Sequence, residues 1–200
     1  MRIELIRHGE TALQTERRYQ GVTDAHLSER GRDALCPAEK RPAMVYVSPL
    51  LRARETAAIL FPEAEQIVIP DLREMNFGIF ENRSATEMEH DPAYRAWVDG
   101  MCLSTCPGGE SKQEFCSRVC TAFSALIEQA EAKGLAAVTF VAHGGTQMAV
   151  MERYSHEDRP YWQWQLPSGH GYLLETKNWA EEPRLRVIDV LDFTRHCAKA

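Results

Sequence analysis

Short, almost unbroken apolar runs that stop abruptly at loop residues constrain this chain more than any other feature. Ile3 to Ile6 ends at Arg7-His8-Gly9, Met44 to Val47 at Ser48-Pro49, Gln66 to Ile69 at Pro70, and Ala136 to Ala142 at His143-Gly144-Gly145. Such runs are too short for buried helices. Lacking polar alternation, they read as strands covered on both faces, which is how a parallel sheet looks in sequence. Helical patterns lie between them. Ser28-Glu29-Arg30-Gly31 can open a short helix, and Arg52 to Leu60 sets Ala53, Thr56, Ala57 and Leu60 on one face. The spacing Phe115, Val119, Phe123, Leu126, Ala130 predicts a long helix from Glu110 to about Lys133, with Gly134 as its C-cap. A helix through Met148 and Val150, then strands near Tyr172 to Leu174 and Leu185 to Leu191, complete the chain. This alternation predicts an α/β fold, a three-layer α/β/α sandwich around a mostly parallel central sheet.

Residues 1–200 read as one domain, since domains commonly hold about 100 to 150 residues and α/β examples run longer. Residues 76–109 differ from the rest, with glycines, prolines and the scattered aromatics Phe77, Phe80, Tyr94 and Trp97. They read as a lid-like excursion over the end of the sheet. With 23 basic and 29 acidic residues the net charge is −6, which argues against nucleic acid or an anionic membrane as partner. No apolar stretch approaches the roughly 18 residues of a membrane span, and the charged N-terminal run does not resemble a signal peptide. Cys36, Cys102, Cys106, Cys116, Cys120 and Cys197 then read as reduced thiols in a cytoplasmic protein. The Cys102/Cys106 and Cys116/Cys120 pairs have a spacing that could serve zinc. Cys116 and Cys120, however, extend an apolar helical stripe and are better read as core residues, so no metal is expected.

Two apolar strands each end in a histidine followed by glycine, His8-Gly9 and His143-Gly144. The carboxyl ends of parallel strands are where ligands bind, and glycine there lets backbone N–H groups approach an anion. Arg52 falls in the opening turn of a helix, where guanidinium and helix N-terminus could reach the same anion. Arg7, beside His8 at the end of an apolar strand, is a charge in need of a partner. Arg54 reads as a solvated helix charge.

The run Leu5-Ile6-Arg7-His8-Gly9-Glu10-Thr11 resembles the Arg-His-Gly signature of the histidine phosphatase superfamily, which contains cofactor-dependent phosphoglycerate mutase and α-ribazole phosphatase. Four more blocks follow in family order. They are Ser48…Arg52-Ala53-x-x-Thr56-Ala57, Leu72-x-Glu74-x-x-x-Gly78, Pro107-Gly108-Gly109-Glu110-Ser111 and Val141-Ala142-His143-Gly144-Gly145. The resemblance implies that His8 is the nucleophile that forms a phosphohistidine. Arg7, Arg52 and His143 would supply cations and donors to the phosphate, and Glu74 would be the general acid. Gly9 and Gly144 would offer backbone donors, and Thr11 and Gln14 would join them in binding the substrate, without metal or cofactor. Phe77, Phe80, Tyr94 and Trp97 would help select the organic part, and a loop carrying His170 would come near the pocket. No role is expected for His26, His90, His156 or His196.

This chain departs from the family in several places. Gln14 stands where many members carry Asn, and Met75-Asn76-Phe77 precedes Gly78 where mutases show tyrosine. No adjacent arginine pair occurs in Asn76 to Gly109, where mutases hold the substrate carboxylate. The stretch Glu74 to Glu81 is more similar to the phosphatase branch that includes α-ribazole phosphatases, despite Asn82 in place of a usual glycine. The expectation is therefore a phosphomonoesterase acting on a small phosphorylated metabolite. The alternatives are phosphoglycerate mutase activity and a catalytically silent module that binds a phosphorylated ligand. The last is disfavoured because His8 and Glu74 are both retained.

Overall fold

The apolar runs are strands of one sheet. β1 (Arg2–Arg7), β2 (Met44–Val47), β3 (Glu65–Val68) and β4 (Ala137–Ala142) are parallel neighbours in the order β3-β2-β4-β1. β5 (His170–Glu175) and β6 (Arg186–Asp192) extend the sheet beyond β1 as antiparallel strands. This computed structural model describes residues 1–194, so the expectations for His196 and Cys197 lie outside the described residues.

Side chains alternate across the pleat, which builds a core on each face. Ile3, Leu5, Tyr46 and Phe140 face a core that includes Val119, Phe123, Ile127 and Val150 from α5 (Lys112–Ala132) and α6 (Gly144–Tyr154). Ile6, Val45, Val47 and Val141 face the opposite way, against Ala53, Ala57 and Leu60 of α3 (Leu51–Leu60). Helices on both faces make the three expected layers. A buried aromatic such as Phe123 is worth about 3 to 5 kcal/mol against truncation to alanine. The charge inside β1 is also met: Glu4 Oε1 accepts from Lys40 Nζ at 2.7 Å and Oε2 from Thr139 Oγ1 at 3.0 Å. β6 lies at the sheet edge, which fits the polar residues that interrupt its sequence.

Local signals set the helix ends. Ser111 and Glu114 form a reciprocal capping box at the start of α5, and Ser28 caps α2 (Glu29–Ala34) through Gly31 N–H. The C-cap of α5 is Lys133 rather than Gly134. Gly134 follows it with φ +67°, the left-handed residue that lets the chain turn back to β4. Thr11 caps a short helix, α1 (Ala12–Thr15), in a second box with Gln14.

The excursion at 76–109 is pinched at its base. A Cβ on Gly78 (φ +53°) would lie 2.1 Å from the Pro107 carbonyl oxygen, and one on Gly109 2.2 Å from that of Asn76. Only glycine permits that approach. Within it, α4 (Pro92–Asp99) is capped by Asp91, whose carboxylate accepts from Ala93 N–H at 3.0 Å. Phe80, Tyr94 and Trp97 pack edge-on or tilted against one another, and Tyr19 from the first loop joins them. No helix among the described residues is long and apolar enough to cross a membrane.

Candidate active site

His8 sits one residue beyond β1, its N–H still bonded to the Ala142 carbonyl of β4 at 3.0 Å. That places its ring 5.2 Å, centroid to centroid, from the ring of His143, which follows β4. His8 Nδ1 lies 2.6 Å from the Gly9 carbonyl oxygen, an acceptor, so Nδ1 carries the proton and Nε2 keeps its lone pair. Arg52 Nε donates to that Nε2 at 3.2 Å. Burial, then the charges of Arg52 and Arg7, hold the His8 pKa well below the usual imidazole value. The ring is therefore neutral, oriented and able to act as a nucleophile.

Arg52 is the second residue of α3 and is fully buried. Its Nη1 donates to Thr23 O at 2.9 Å and its Nη2 to Gly21 O at 2.7 Å, which leaves Nε directed at His8. The loop carrying those two carbonyls is held in turn by Glu81. That carboxylate accepts from the N–H groups of Gly21, Val22 and Thr23, and from the Thr23 hydroxyl. Burial pushes the Arg52 pKa down to about 10, while Glu74, Glu81 and Asp24 oppose the shift, so the guanidinium stays charged at neutral pH. Arg7, whose pKa burial also lowers, is anchored by Nη1 on the Leu166 carbonyl at 2.5 Å. Its Nε is buried with no partner among the described residues.

Glu74 faces the histidines from the segment after β3. Its Oε1 accepts from Met75 N–H and its Oε2 from Gly145 N–H, both at 3.1 Å, the second at the positive end of α6. A Cβ on Gly145 would stand 2.1 Å from Glu74 Oε1, so the glycine makes room for the carboxyl group. Burial raises the Glu74 pKa from its ordinary value, opposed by those two N–H groups and by Arg52 and Arg7. Such a group can hold a proton and give it up. His143 Nε2 pairs with Ser48 Oγ at 2.7 Å, and its Nδ1 is buried without a partner among the described residues. These unpartnered polar atoms, on Arg7 and His143 together, leave hydrogen-bonding capacity for a ligand.

Arg7, His8, Gln14, Glu74 and Gly144 line one cavity of about 310 Å³, with Arg52 and His143 packed against His8 in the wall behind. Three expectations need correction. His143 is no cation: burial, then Arg52 and His8, put its pKa well below the usual value, so it can only be a neutral donor. The Gly9 N–H is already given to Thr56 Oγ1 at 3.0 Å. Thr11 is fully buried, and its hydroxyl is spent on capping and on Gln20 Oε1 at 2.6 Å. His170 turns away to Ser168 O and Asp192, although its loop does reach the site, where Gly169 N–H meets the carbonyls of Arg7 and His8. Of the four aromatics, Phe77 and Trp97 line the cavity, whereas Phe80 and Tyr94 stand behind them in the core. Sequence reasoning misses Tyr19, Lys112, Tyr161 and Trp162, which also line it. A cap signal at Ser111 marks the start of Lys112's helix, but nothing local points the other three inward.

Known proteins share the fold and part of the sequence. A relative from Cronobacter sakazakii, named "Probable phosphoglycerate mutase GpmB", is 34% identical over 137 residues, 64% of this chain and 64% of that protein. A second, from Erwinia tasmaniensis and of the same name, is 33% identical over 66% of this chain and 65% of its own. The chain thus spans less than two thirds of the length of the curated relatives it matches. The crystal structure of an α-ribazole phosphatase from Shigella flexneri superposes with a TM-score of 0.79 at 25% identity, over 96% of both chains. That of a phosphoglycerate mutase from Thermus thermophilus does so with a TM-score of 0.69 at 31% identity, over 96% of this chain and 98% of that one. The family model of the histidine phosphatase superfamily, branch 1, matches residues 3–187, and the chain belongs to that family.

Proposed function

We propose that the chain is a phosphomonoesterase, hydrolysing a small phosphorylated metabolite through phospho-His8 without a metal ion. His8 Nε2 attacks phosphorus, the N–P bond forms as the P–O bond to the leaving group breaks, and Glu74 passes its proton to the departing oxygen. Water, deprotonated by Glu74, then attacks the phosphohistidine, releasing phosphate and restoring the ring. Arg7 and His143 have unpartnered donors for the phosphoryl oxygens, and Arg52 adds its charge from behind His8, which is the role a metal would otherwise fill. The observation that carries this reading is the neutral His8 imidazole, its lone pair on Nε2, in one cavity with a carboxyl group whose pKa is raised.

Hydrolysis is favoured over mutase activity by the outer part of the cavity. The two cations lining it are committed, Arg18 to Glu16 and Glu87 and Lys112 to Glu152. Neither is free to hold the second anionic group of a phosphoglycerate. Tyr19, Phe77 and Trp97 instead offer aromatic faces to an uncharged organic group. α-Ribazole 5′-phosphate is one candidate, suggested by the Shigella flexneri neighbour's name, and the cytoplasm is the compartment we propose. The test is a panel of phosphate esters read by released phosphate in excess chelator. Hydrolysis that persists supports the proposal. Activity abolished by chelator and restored by Mg²⁺ or Zn²⁺ overturns it, and 3-phosphoglycerate converted with its phosphate retained identifies a mutase.

A further inference from the structure

The short helical turn Tyr161–Trp164 that follows α6 supplies a cavity wall that the chemistry above does not use. Tyr161 is only 6% exposed. Its ring is held from two sides, by Lys112 Nζ 4.1 Å from the ring centroid and by Trp162 edge-on at 4.8 Å. Lys112 is itself fixed by Glu152 at 2.9 Å. The phenol hydroxyl makes no hydrogen bond to the described residues and is not fully buried, and Tyr161 lines the cavity. Burial, then the charge of Glu74, raises its pKa, so the group stays protonated and can donate. A hydroxyl on a ring held this firmly beside a cavity, with no protein partner, is placed to meet a ligand.

We infer that the Tyr161 hydroxyl is a specificity-determining contact to the leaving group, selecting phosphate esters whose organic part carries a hydroxyl group. The inference rests on the phosphomonoesterase reading, in which Glu74 protonates the ester oxygen. Tyr161 and Glu74 line the same cavity, and the Glu74 carboxylate takes its hydrogen bonds from Met75 and Gly145 rather than from the phenol. A hydroxyl on the leaving group would be the partner that the phenol lacks.

The experiment uses the full chain and a matched pair of probes, glycerol 1-phosphate and n-propyl phosphate, with p-nitrophenyl phosphate as reference. Wild type should prefer glycerol 1-phosphate by roughly fivefold in kcat/KM, the size of one neutral hydrogen bond. Tyr161→Phe, which keeps the ring under Lys112, should bring that ratio close to one, chiefly through KM. A wild type without preference overturns the inference with no need of a variant. So does a Tyr161→Phe protein that keeps the preference, or a wild type that cleaves only p-nitrophenyl phosphate, and in these cases the phosphatase reading stands. If none of the three esters is hydrolysed, both readings fall together.

Discussion

Acidification from pH 7.0 to 5.5 should destabilise this fold through the two histidines that its chemistry needs neutral. Burial and the neighbouring arginines place the folded pKa values of His8 and His143 well below the ordinary 6.5. The unfolded chain therefore binds protons that the folded chain refuses, and stability falls as the pH drops through 6.5 toward the folded values. From pH 7.0 to 5.5 each ring then costs up to about 1.3 kcal/mol, and the pair up to about 2.5 kcal/mol. Domains are typically stable by only about 5 to 15 kcal/mol, so the loss is large enough to measure. Glu74 works the other way. Its raised pKa makes the folded state the better proton acceptor, adding stability as the pH falls through its folded value and trimming the sum. The assay is urea unfolding at both pH values, followed by fluorescence of the four tryptophans, for wild type and a His8→Asn/His143→Asn double variant. Subtracting the two pH dependences cancels groups outside the pair, and the double variant should lose most of the fall. Equal dependence in both proteins would show that these rings are not held neutral, and the account of His8 as a ready nucleophile would fail with it.

Gly145→Ala would put a methyl carbon 2.1 Å from Glu74 Oε1, displacing the carboxyl group; kcat for an alkyl phosphate should fall by about 10² or more, and near-normal kcat would refute the placement. Glu74→Gln should form phospho-His8 almost normally from p-nitrophenyl phosphate, whose leaving group needs no proton, and then hydrolyse it slowly. Rapid mixing should show a burst of nitrophenol, and equal slowing of the first step for aryl and alkyl esters would mean another group is the acid. Glu81→Ala removes the acceptor that holds the Gly21–Thr23 loop, so the carbonyls anchoring Arg52 should loosen. Vanadate inhibition should weaken about tenfold, roughly 1.4 kcal/mol, and an unchanged inhibition constant would show that Arg52 is positioned without Glu81.

The sequence by itself determined the strands of the parallel sheet, the helices that cover it and the positions of His8, Arg52 and His143 beside the sheet's carboxyl edge. That information is local. A run such as Ala137–Ala142 can only be covered on both faces, and a residue at the end of such a strand is delivered to the sheet's carboxyl edge whatever the rest of the chain does. The capping pairs Ser111/Glu114 and Asp91/Pro92 likewise work within a few residues, although the second helix lies in a stretch whose overall pattern shows no period. Only the tertiary structure decided which side chains could still reach a ligand. Thr56, far along the chain, takes the Gly9 N–H; Asp192 draws His170 away; Phe80 and Tyr94 fill the core behind Phe77 and Trp97. It also decided charge. The same histidine takes up a proton near pH 6.5 in water and stays a neutral donor well below that beside Arg52 in the interior, because the protonated form would lose its hydration. Tyr19, Lys112 and Tyr161 meet at one cavity from three distant segments, none with a local pattern that says which way its side chain turns. Long-range packing sets that direction, and short-range periodicity carries no record of it.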